Sequence, residues 1–424
     1  MNAKNIKASQ KMKKTPIGDI PVDWGIIRLE NVITDIGDGG TPDRKNNEYF
    51  NGNIPWATVG DINFRIISTK ENITKLGLKE SSAKLWPPKT VILTTGATIG
   101  KVGLADFPLA TKQGITGIVC NEKYVIPEYL ARYFESKVKY LNRMAHGSTF
   151  KEIRAPLLKK LEFPLPPVSE QHKIAEILGS VDKVIEKTQA VIDQTEIIKK
   201  GLMQELLTRG IPGRHQKFKT TEIGEIPEEW EVKKIKDCVS INPDQLGIST
   251  DEEMIIKYLD ISGIEKTGVI GEFKDYLFKE APCRARRKVQ KGDIIISTVR
   301  PYLRAFACLR NCPDNLIVST GFAVLRSNKI EDIEFIYQNI LYNKFVDSLI
   351  DKMTGSNYPA VSSGDIGEYK IAYPNNIKEK ELISNILNVI DNNLKYETII
   401  MEKIGILKSA LMQVLLTGKV RVKI

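Results

Sequence analysis

The feature that most constrains this chain is that its sequence repeats once. Residues 17–24 read Ile-Gly-Asp-Ile-Pro-Val-Asp-Trp, and residues 223–230 read Ile-Gly-Glu-Ile-Pro-Glu-Glu-Trp. Downstream, Leu-Met-Gln-Glu-Leu-Leu-Thr at 202–208 returns as Leu-Met-Gln-Val-Leu-Leu-Thr at 411–417. The order of elements between these markers repeats as well. Extended apolar runs occur at 88–97 and 291–300, and second runs end at Cys120 and Ser327. An amphipathic helix follows in each copy, with Leu130, Phe134, Val138 and Leu141 on one face, then Ile333, Ile336, Ile340 and Leu341. After each helix comes a Gly-Ser-polar-aromatic element, Gly147-Ser148-Thr149-Phe150 and Gly355-Ser356-Asn357-Tyr358. A period of about 207 residues is too long for a solenoid, so it implies two similar domains, each followed by the same helical segment.

The helical segments carry coiled-coil spacing. From Ser169 to about Leu207 there is no proline, and Ile174, Ile177, Val181, Val184, Val191, Ile198 and Leu202 advance by threes and fours, with Thr188 and Thr195 completing the seam. Pro166-Pro167 halts the preceding strand, Ser169 is placed to cap the helix, and Gly210 and Pro212 end it. The second copy, from about Lys378 to Leu416, has Ile383, Ile386, Ile390, Leu394, Met401, Ile404, Leu411 and Val414 on one side. Each helix spans roughly 60 Å at 1.5 Å per residue. A solitary apolar-striped helix of that length is poorly stabilised in water, which makes the other copy its natural partner. Antiparallel pairing places the two globular domains at opposite ends of a rod.

Composition narrows the function classes. The 424 residues are 42% hydrophobic and 27% charged, as in a globular protein, and no apolar stretch is long enough to span a membrane. The Lys-rich start lacks the apolar segment of a secretory signal and reads as a flexible basic tail. Lysine and arginine exceed aspartate and glutamate by 10, a surplus that favours polyanionic partners. Cys120, Cys238, Cys283, Cys308 and Cys312 form no disulfide framework, which points to an intracellular, cytoplasmic protein.

Catalytic signatures are missing. The stretch Gly96-Ala-Thr-Ile-Gly100-Lys101-Val102 has three residues between its glycines where a phosphate loop has four, and valine where the loop needs a hydroxyl. His146, His172 and His215 have no partners at metal-ligand spacing and read as surface histidines, so no metal site is expected. The pattern is that of a binding protein.

Together these residues resemble the specificity subunit of type I restriction–modification systems. The match is carried by Ile20-Pro21-x-x-Trp24 and Ile226-Pro227-x-x-Trp230, by Gly96-Ala-Thr-Ile-Gly100-Lys101, and by Phe163-Pro-Leu-Pro-Pro167-Val-Ser-Glu170-Gln171 leading into Ile174-x-x-Ile177-Leu178-x-x-x-Asp182. The second copy departs from it, with Ile371-Ala-Tyr-Pro374-Asn375-Asn376 for the double-proline entry and Thr298-Val-Arg300 for the glycine loop. The resemblance implies a mixed α/β fold: two strand-rich target recognition domains separated by an antiparallel coiled coil of two long helices. The expected layout is a tail at 1–16, a first recognition domain at 17–165, the central helix at 166–212, a second recognition domain at 213–373 and the C-terminal helix at 374–424. It also implies partners: double-stranded DNA with a bipartite target, two DNA-methyltransferase subunits, and restriction or translocase subunits. Methyl donor, ATP and Mg²⁺ belong to those partners, with no cofactor in this chain. Two other readings stay open, a recognition subunit of a combined methyltransferase–nuclease and a coiled-coil scaffold without sequence-specific DNA binding.

Base edges are read by long or planar donors and acceptors, and phosphates by Lys, Arg, hydroxyls and backbone N–H groups. The candidates in the first domain are Thr41, Arg44, Lys45, Lys101, Lys112, Gln113, Ser148, Thr149, Lys151 and Arg154. Those in the second are Arg300, Arg304, Ser319, Thr320, Ser356, Asn357 and Tyr358, with Arg284, Arg286 and Arg287 a basic cluster suited to phosphate. Trp24 and Trp230 are expected to anchor cores.

Overall fold

A computed structural model describes residues 11–145, 151–355 and 358–424. The chain divides into two compact units, Met1–Gln189 with Ile399–Ile424, and Ala190–Thr398. Each unit therefore contains one globular head plus portions of both long helices.

The heads share one topology. In the first, a sheet runs in the order Ile33–Asp38, Ile115–Cys120, Val91–Thr94, Val102–Ala105 and Arg65–Ile66. In the second, the corresponding order is Ser240–Ile241, Phe322–Arg326, Ile294–Ser297 and Phe306–Cys308. A second sheet repeats as faithfully: Glu71–Ile73, Phe50–Ala57, Leu109–Thr111, Leu85–Trp86 in one head, and Lys274–Leu277, Ile255–Leu259, Leu316–Ser319, Ala285–Lys288 in the other. Its middle pair is parallel both times, Ala110 beside Trp56 and Ile317 beside Tyr258. The central strands are apolar because both of their faces are covered: Val91, Ile92 and Leu93 are fully buried, as are Ile294, Ile295 and Ile296.

The helical layer closes each core. Pro127–Ser136 and Val138–Met144 set Leu130, Phe134 and Leu141 into the first core. Ile330–Leu341 does the same with Ile333, Ile336 and Ile340. The repeated tryptophans lie in these cores, each with its indole N–H on a buried carboxylate. Trp24 donates to Glu170 at 2.9 Å, and Trp230 to Glu379 at 3.3 Å. In the first unit Arg421 neutralises Glu170 and forks onto Asp23 at 2.9 Å. In the second, the ring of His215 lies between Glu379 and Glu229, at 2.7 and 2.9 Å. His215 is therefore not a surface histidine: its side chain is 6% exposed, and its two ring nitrogens bridge two carboxylates.

Two terminal expectations change. Met12–Lys13 pairs with Ile20–Pro21, and the Lys13 ammonium donates to the Trp24 carbonyl at 2.6 Å, so the tail does not extend to residue 16. The central helix spans Val168–Leu206, and its first amides, Glu170 and Gln171, bond to the Pro167 carbonyl. Pro167 thus flanks the helix and its carbonyl takes the first helical bonds, so Ser169 lies inside the helix and does not cap it.

The C-terminal helix spans Ile377–Leu415. In the first unit Ile174 and Leu178 share a core with Met412, Leu415 and Leu416. In the second unit Met203, Leu206 and Leu207 share one with Ile383 and Leu387. Within each unit the two helix portions thus run antiparallel.

The seam is displaced from its expected phase. Val184, Val191 and Ile198 are 48%, 49% and 48% exposed, and Ile177 is half-buried, whereas Leu178 is fully buried and Ile192 is 8% exposed. The stripe of buried and half-buried residues therefore runs through Ile174, Leu178, Val181, Ile185, Thr188, Ile192, Thr195, Lys199 and Leu202, with the alternate positions one residue beyond the expected ones. Lys199 disguises this phase in the sequence. It is tolerated there because Asp391 of the C-terminal helix meets its ammonium. On the C-terminal helix, Ile383 is buried, and Ile386, Ile390, Leu394, Met401, Ile404, Leu411 and Val414 are half-buried.

Candidate nucleic-acid interface

In each head, backbone hydrogen bonds bring the loops at one end of the sheets together. In the first head the amides of Thr95 and Gly96 donate to the Gly114 carbonyl at 2.8 and 3.0 Å, and the Ile153 amide to the Thr95 carbonyl at 2.9 Å. Gly39 and Gly40 donate to Ile115 and Thr111, at 2.8 and 2.9 Å. A side chain at Gly39 would place its Cβ 2.2 Å from the Thr111 carbonyl oxygen, so only glycine permits this close approach. One face is thereby assembled from residues 39–45, 95–101, 112–114 and 151–154.

The second head repeats the joints. Thr298 donates to the Gly321 carbonyl, and Val361 to the Thr298 carbonyl, both at 2.9 Å. Thr298 stands where Thr95 stands, and Val361 where Ile153 stands, because their strands pair in the same register. The scaffold is preserved while the loop residues differ.

The sequence candidates divide by what their side chains already do. Lys45, Gln113, Lys151, Arg154 and Thr320 are exposed on these loops, and Thr41 and Lys112 are half-buried. Lys101 is exposed, with its ammonium 3.2 Å from the Val59 carbonyl. Arg44 is committed: it forks onto Glu71 at 2.5 and 3.1 Å and lies over the rings of Phe50 and Trp56. Glu71 holds its pKa above the ordinary arginine value. Arg304 is anchored to the Leu341 carbonyl at 3.3 Å and the Asn343 side chain at 2.5 Å. Ser319 is buried, and its hydroxyl accepts from the Gly321 amide at 3.2 Å, so it fixes the turn and is withdrawn as a base contact. Ser148, Thr149, Ser356 and Asn357 lie outside the described residues. Tyr358 is 73% exposed, with the Arg300 guanidinium 5.2 Å from its ring centre. In the basic cluster Arg284 is exposed, while Arg286 lies over Phe278 and Arg287 is half-buried.

The Gly96–Lys101 stretch joins two antiparallel strands, with Leu93 opposite Val102. A phosphate loop instead feeds a helix whose N-terminus receives the anion, so this hairpin has the wrong topology for one. Among the described residues, no group of three His, Cys, Asp or Glu side chains could hold a metal ion. Also among them, no helix is long and apolar enough to cross a membrane.

The comparisons with known proteins agree on one family. A family model described as the type I restriction modification DNA specificity domain matches residues 21–196. Over 97% of both chains, this sequence is 29% identical to the type I restriction enzyme MjaIX specificity subunit of Methanocaldococcus jannaschii. The MjaVIII specificity subunit of the same organism is 27% identical, over 95% of this chain and 94% of that one. Along nearly its whole length the chain is similar to specificity subunits of type I restriction–modification systems. Its fold matches that of a solved type I restriction–modification S subunit from M. genitalium, with a TM-score of 0.60 over 93% of this chain and 96% of that one, at 16% identity. A chain from a solved type I restriction–modification assembly gives 0.55 over 95% and 99%, at 17% identity.

Sequence reading missed two features of this chain. One is the buried Arg132, which donates to Glu135 at 2.8 Å and to Asp182. No periodicity flags an arginine as a core residue. The other is the exposed pair Tyr302–Leu303 between Arg300 and Arg304, for which the run Arg-Pro-Tyr-Leu-Arg was the available signal.

Proposed function

We propose that this chain is the DNA-reading subunit of a type I restriction–modification complex, with each head gripping one half of a split double-stranded target. The observation that carries this reading is the duplicated head. Two scaffolds agree in strand order, register and the 2.9 Å joints Ile153–Thr95 and Val361–Thr298, yet present different residues on the loops they hold together. That is the arrangement needed to read two unlike half-sites with one architecture. Linking two heads makes the second engagement intramolecular, which raises the occupancy of the complete site. The net charge of +10 supplies sequence-independent attraction to phosphate.

Lys45, Lys101, Lys151 and Arg154 are the phosphate-positioning candidates of the first head, with Thr41, Lys112 and Gln113 nearer the bases. Thr320, Arg300 and Tyr358 serve the second head. The chain itself is non-catalytic in this reading. Methyl donor, ATP and Mg²⁺ are held by modification and restriction subunits inside the cell. The long helices offer those subunits apolar surface beside the seam: Val184, Ile400 and Leu407 in the first unit, and Val191, Ile198 and Val389 in the second, all exposed.

The test is methylation mapping of DNA from cells expressing the cognate modification subunits with and without this chain. A split motif methylated only when the chain is present supports the reading. Methylation that is unchanged without the chain overturns it.

A further inference from the structure

The hairpin that joins Ile294–Ser297 to Phe306–Cys308 differs from its counterpart in the first head. There, Ile99 of the loop 95–101 packs half-buried against the core. Here, Tyr302 and Leu303 stand outward, 44% and 65% exposed. They form the tip of a short turn in which Leu303 donates to the Arg300 carbonyl and Arg304 to the Pro301 carbonyl, both at 2.9 Å. At either end sits an arginine in the left-handed conformation, Arg300 at φ 49° and Arg304 at φ 54°. L side chains avoid that region, so the surroundings must hold the turn in place.

They do so on both sides. The Arg300 amide donates to the Pro359 carbonyl at 2.8 Å, and its guanidinium covers the Tyr358 ring. The Arg304 side chain is fixed on Leu341 and Asn343, and its carbonyl accepts from the Thr267 hydroxyl at 2.9 Å. The result is a rigid apolar tip between two cations, on the face assembled by the Thr298–Gly321 and Val361–Thr298 joints. A preordered apolar side chain on a turn anchored at both ends has the chemistry that parts stacked bases: the aliphatic group enters the step while the turn behind it does not yield.

We infer that Tyr302–Leu303 is a wedge that enters one base step of the second half-site, with Leu303 the residue that unstacks it. This rests on the reading of the chain as a DNA-binding specificity subunit. It adds that the second head reads deformability at that step as well as base edges, while the first head, whose Ile99 is tucked inward, does not.

The experiment uses the complex of this chain with its modification subunits and a duplex carrying the mapped split motif. 2-Aminopurine is placed in turn at each adenine of either half-site. The wedge predicts enhanced fluorescence on binding at one step of the second half-site, in a complex loaded with DNA but without methyl donor. Leu303→Ala should abolish that signal and weaken binding by about tenfold, while Leu303→Met restores both. Because Leu303 is exposed, the variant should keep the wild-type melting temperature. If Leu303→Ala binds as tightly as wild type with the same fluorescence, the wedge is wrong although the chain still reads DNA. If the wild-type complex shows no preference for the motif, the DNA-reading role itself fails and the wedge with it. If binding is unaffected but Leu303→Ala releases a protein subunit from the complex, the tip is a protein contact and the inference is overturned.

Discussion

Lys408 of the C-terminal helix donates to Asp182 of the central helix at 2.8 Å. The same Lys408 reaches Glu135 at 2.6 Å, and Asp182 also receives the buried Arg132, so four charges share one partly dry site at the junction of head and helices. The repeat offset of 209 residues carries Lys408 back to Lys199 and Asp182 forward to Asp391, and those two residues are paired in the second unit. Each unit thus uses the same ion pair to lock one helix onto the other.

Removing one carboxylate from such a site leaves a buried cation short of a partner, which is costlier than losing a surface pair. Asp182→Ala should lower unfolding stability by about 3 kcal/mol in urea titrations. Lys173→Ala, which removes an exposed pair with Glu176, should change it by less than about 1 kcal/mol. Equal effects from the two substitutions would show that the junction is hydrated.

The phase of the seam is tested by two adjacent residues. Ile192→Ala removes a buried side chain and should cost about 2–4 kcal/mol, whereas Val191→Ala next to it should stay within about 0.5 kcal/mol. The reverse ranking in thermal or chemical unfolding would restore the phase expected from sequence. Because Val191 lies on the exposed stripe, its replacement by serine should weaken capture of modification subunits in pull-downs without loosening the fold.

Acid sensitivity has a specific source at Glu368. Hydrogen bonds from Lys234 and Lys236 pull its pKa from an ordinary 4.5 down to about 2. A group that binds its proton more weakly when folded stabilises the fold above its unfolded pKa. That contribution is lost as pH falls through the folded value, here between about pH 4.5 and 2. The double variant Lys234→Met/Lys236→Met should flatten the stability curve in this window and leave its slope near neutrality unchanged. An unchanged acid slope would mean that these exposed pairs do not persist in solution.

Gly39→Ala probes the proposed reading face of the first head. Its Cβ would collide with the Thr111 and Lys112 carbonyls at 2.2 and 2.5 Å, so the loop bearing Thr41 and Lys45 has to move. Methylation mapping should show a relaxed or altered first half-site and an intact second one. Loss of both halves would place Gly39 in the general stability of the head.

Much of this architecture was legible because it is periodic. The duplicated Ile-Pro-x-x-Trp openings and the proline-free helical stretches predicted two heads and two long helices. The tryptophans were read as core anchors, and both are buried. The seam was harder to read, since Ile177, Val184, Val191 and Ile198 make a more apolar series than Leu178, Ile185, Ile192 and Lys199. Only the Asp391 partner, distant in sequence, explains why the series containing a lysine is the buried one. On the loops of the proposed reading face, residue type identified Lys45, Lys151 and Arg154 as exposed cations. It failed where tertiary partners intervene, at Arg44 on Glu71, Arg304 on Asn343 and the buried Ser319. The outward Leu303 was missed because an apolar residue beside an extended run reads as core until the turn is placed.

The most direct measurement is methylation mapping with a chimaera in which residues 17–165 are replaced by the equivalent head of another specificity subunit. One half of the split motif should change to that of the donor, while the other half and the spacing stay as they were. A motif that changes in both halves, or in neither, would contradict the assignment of one half-site to each head.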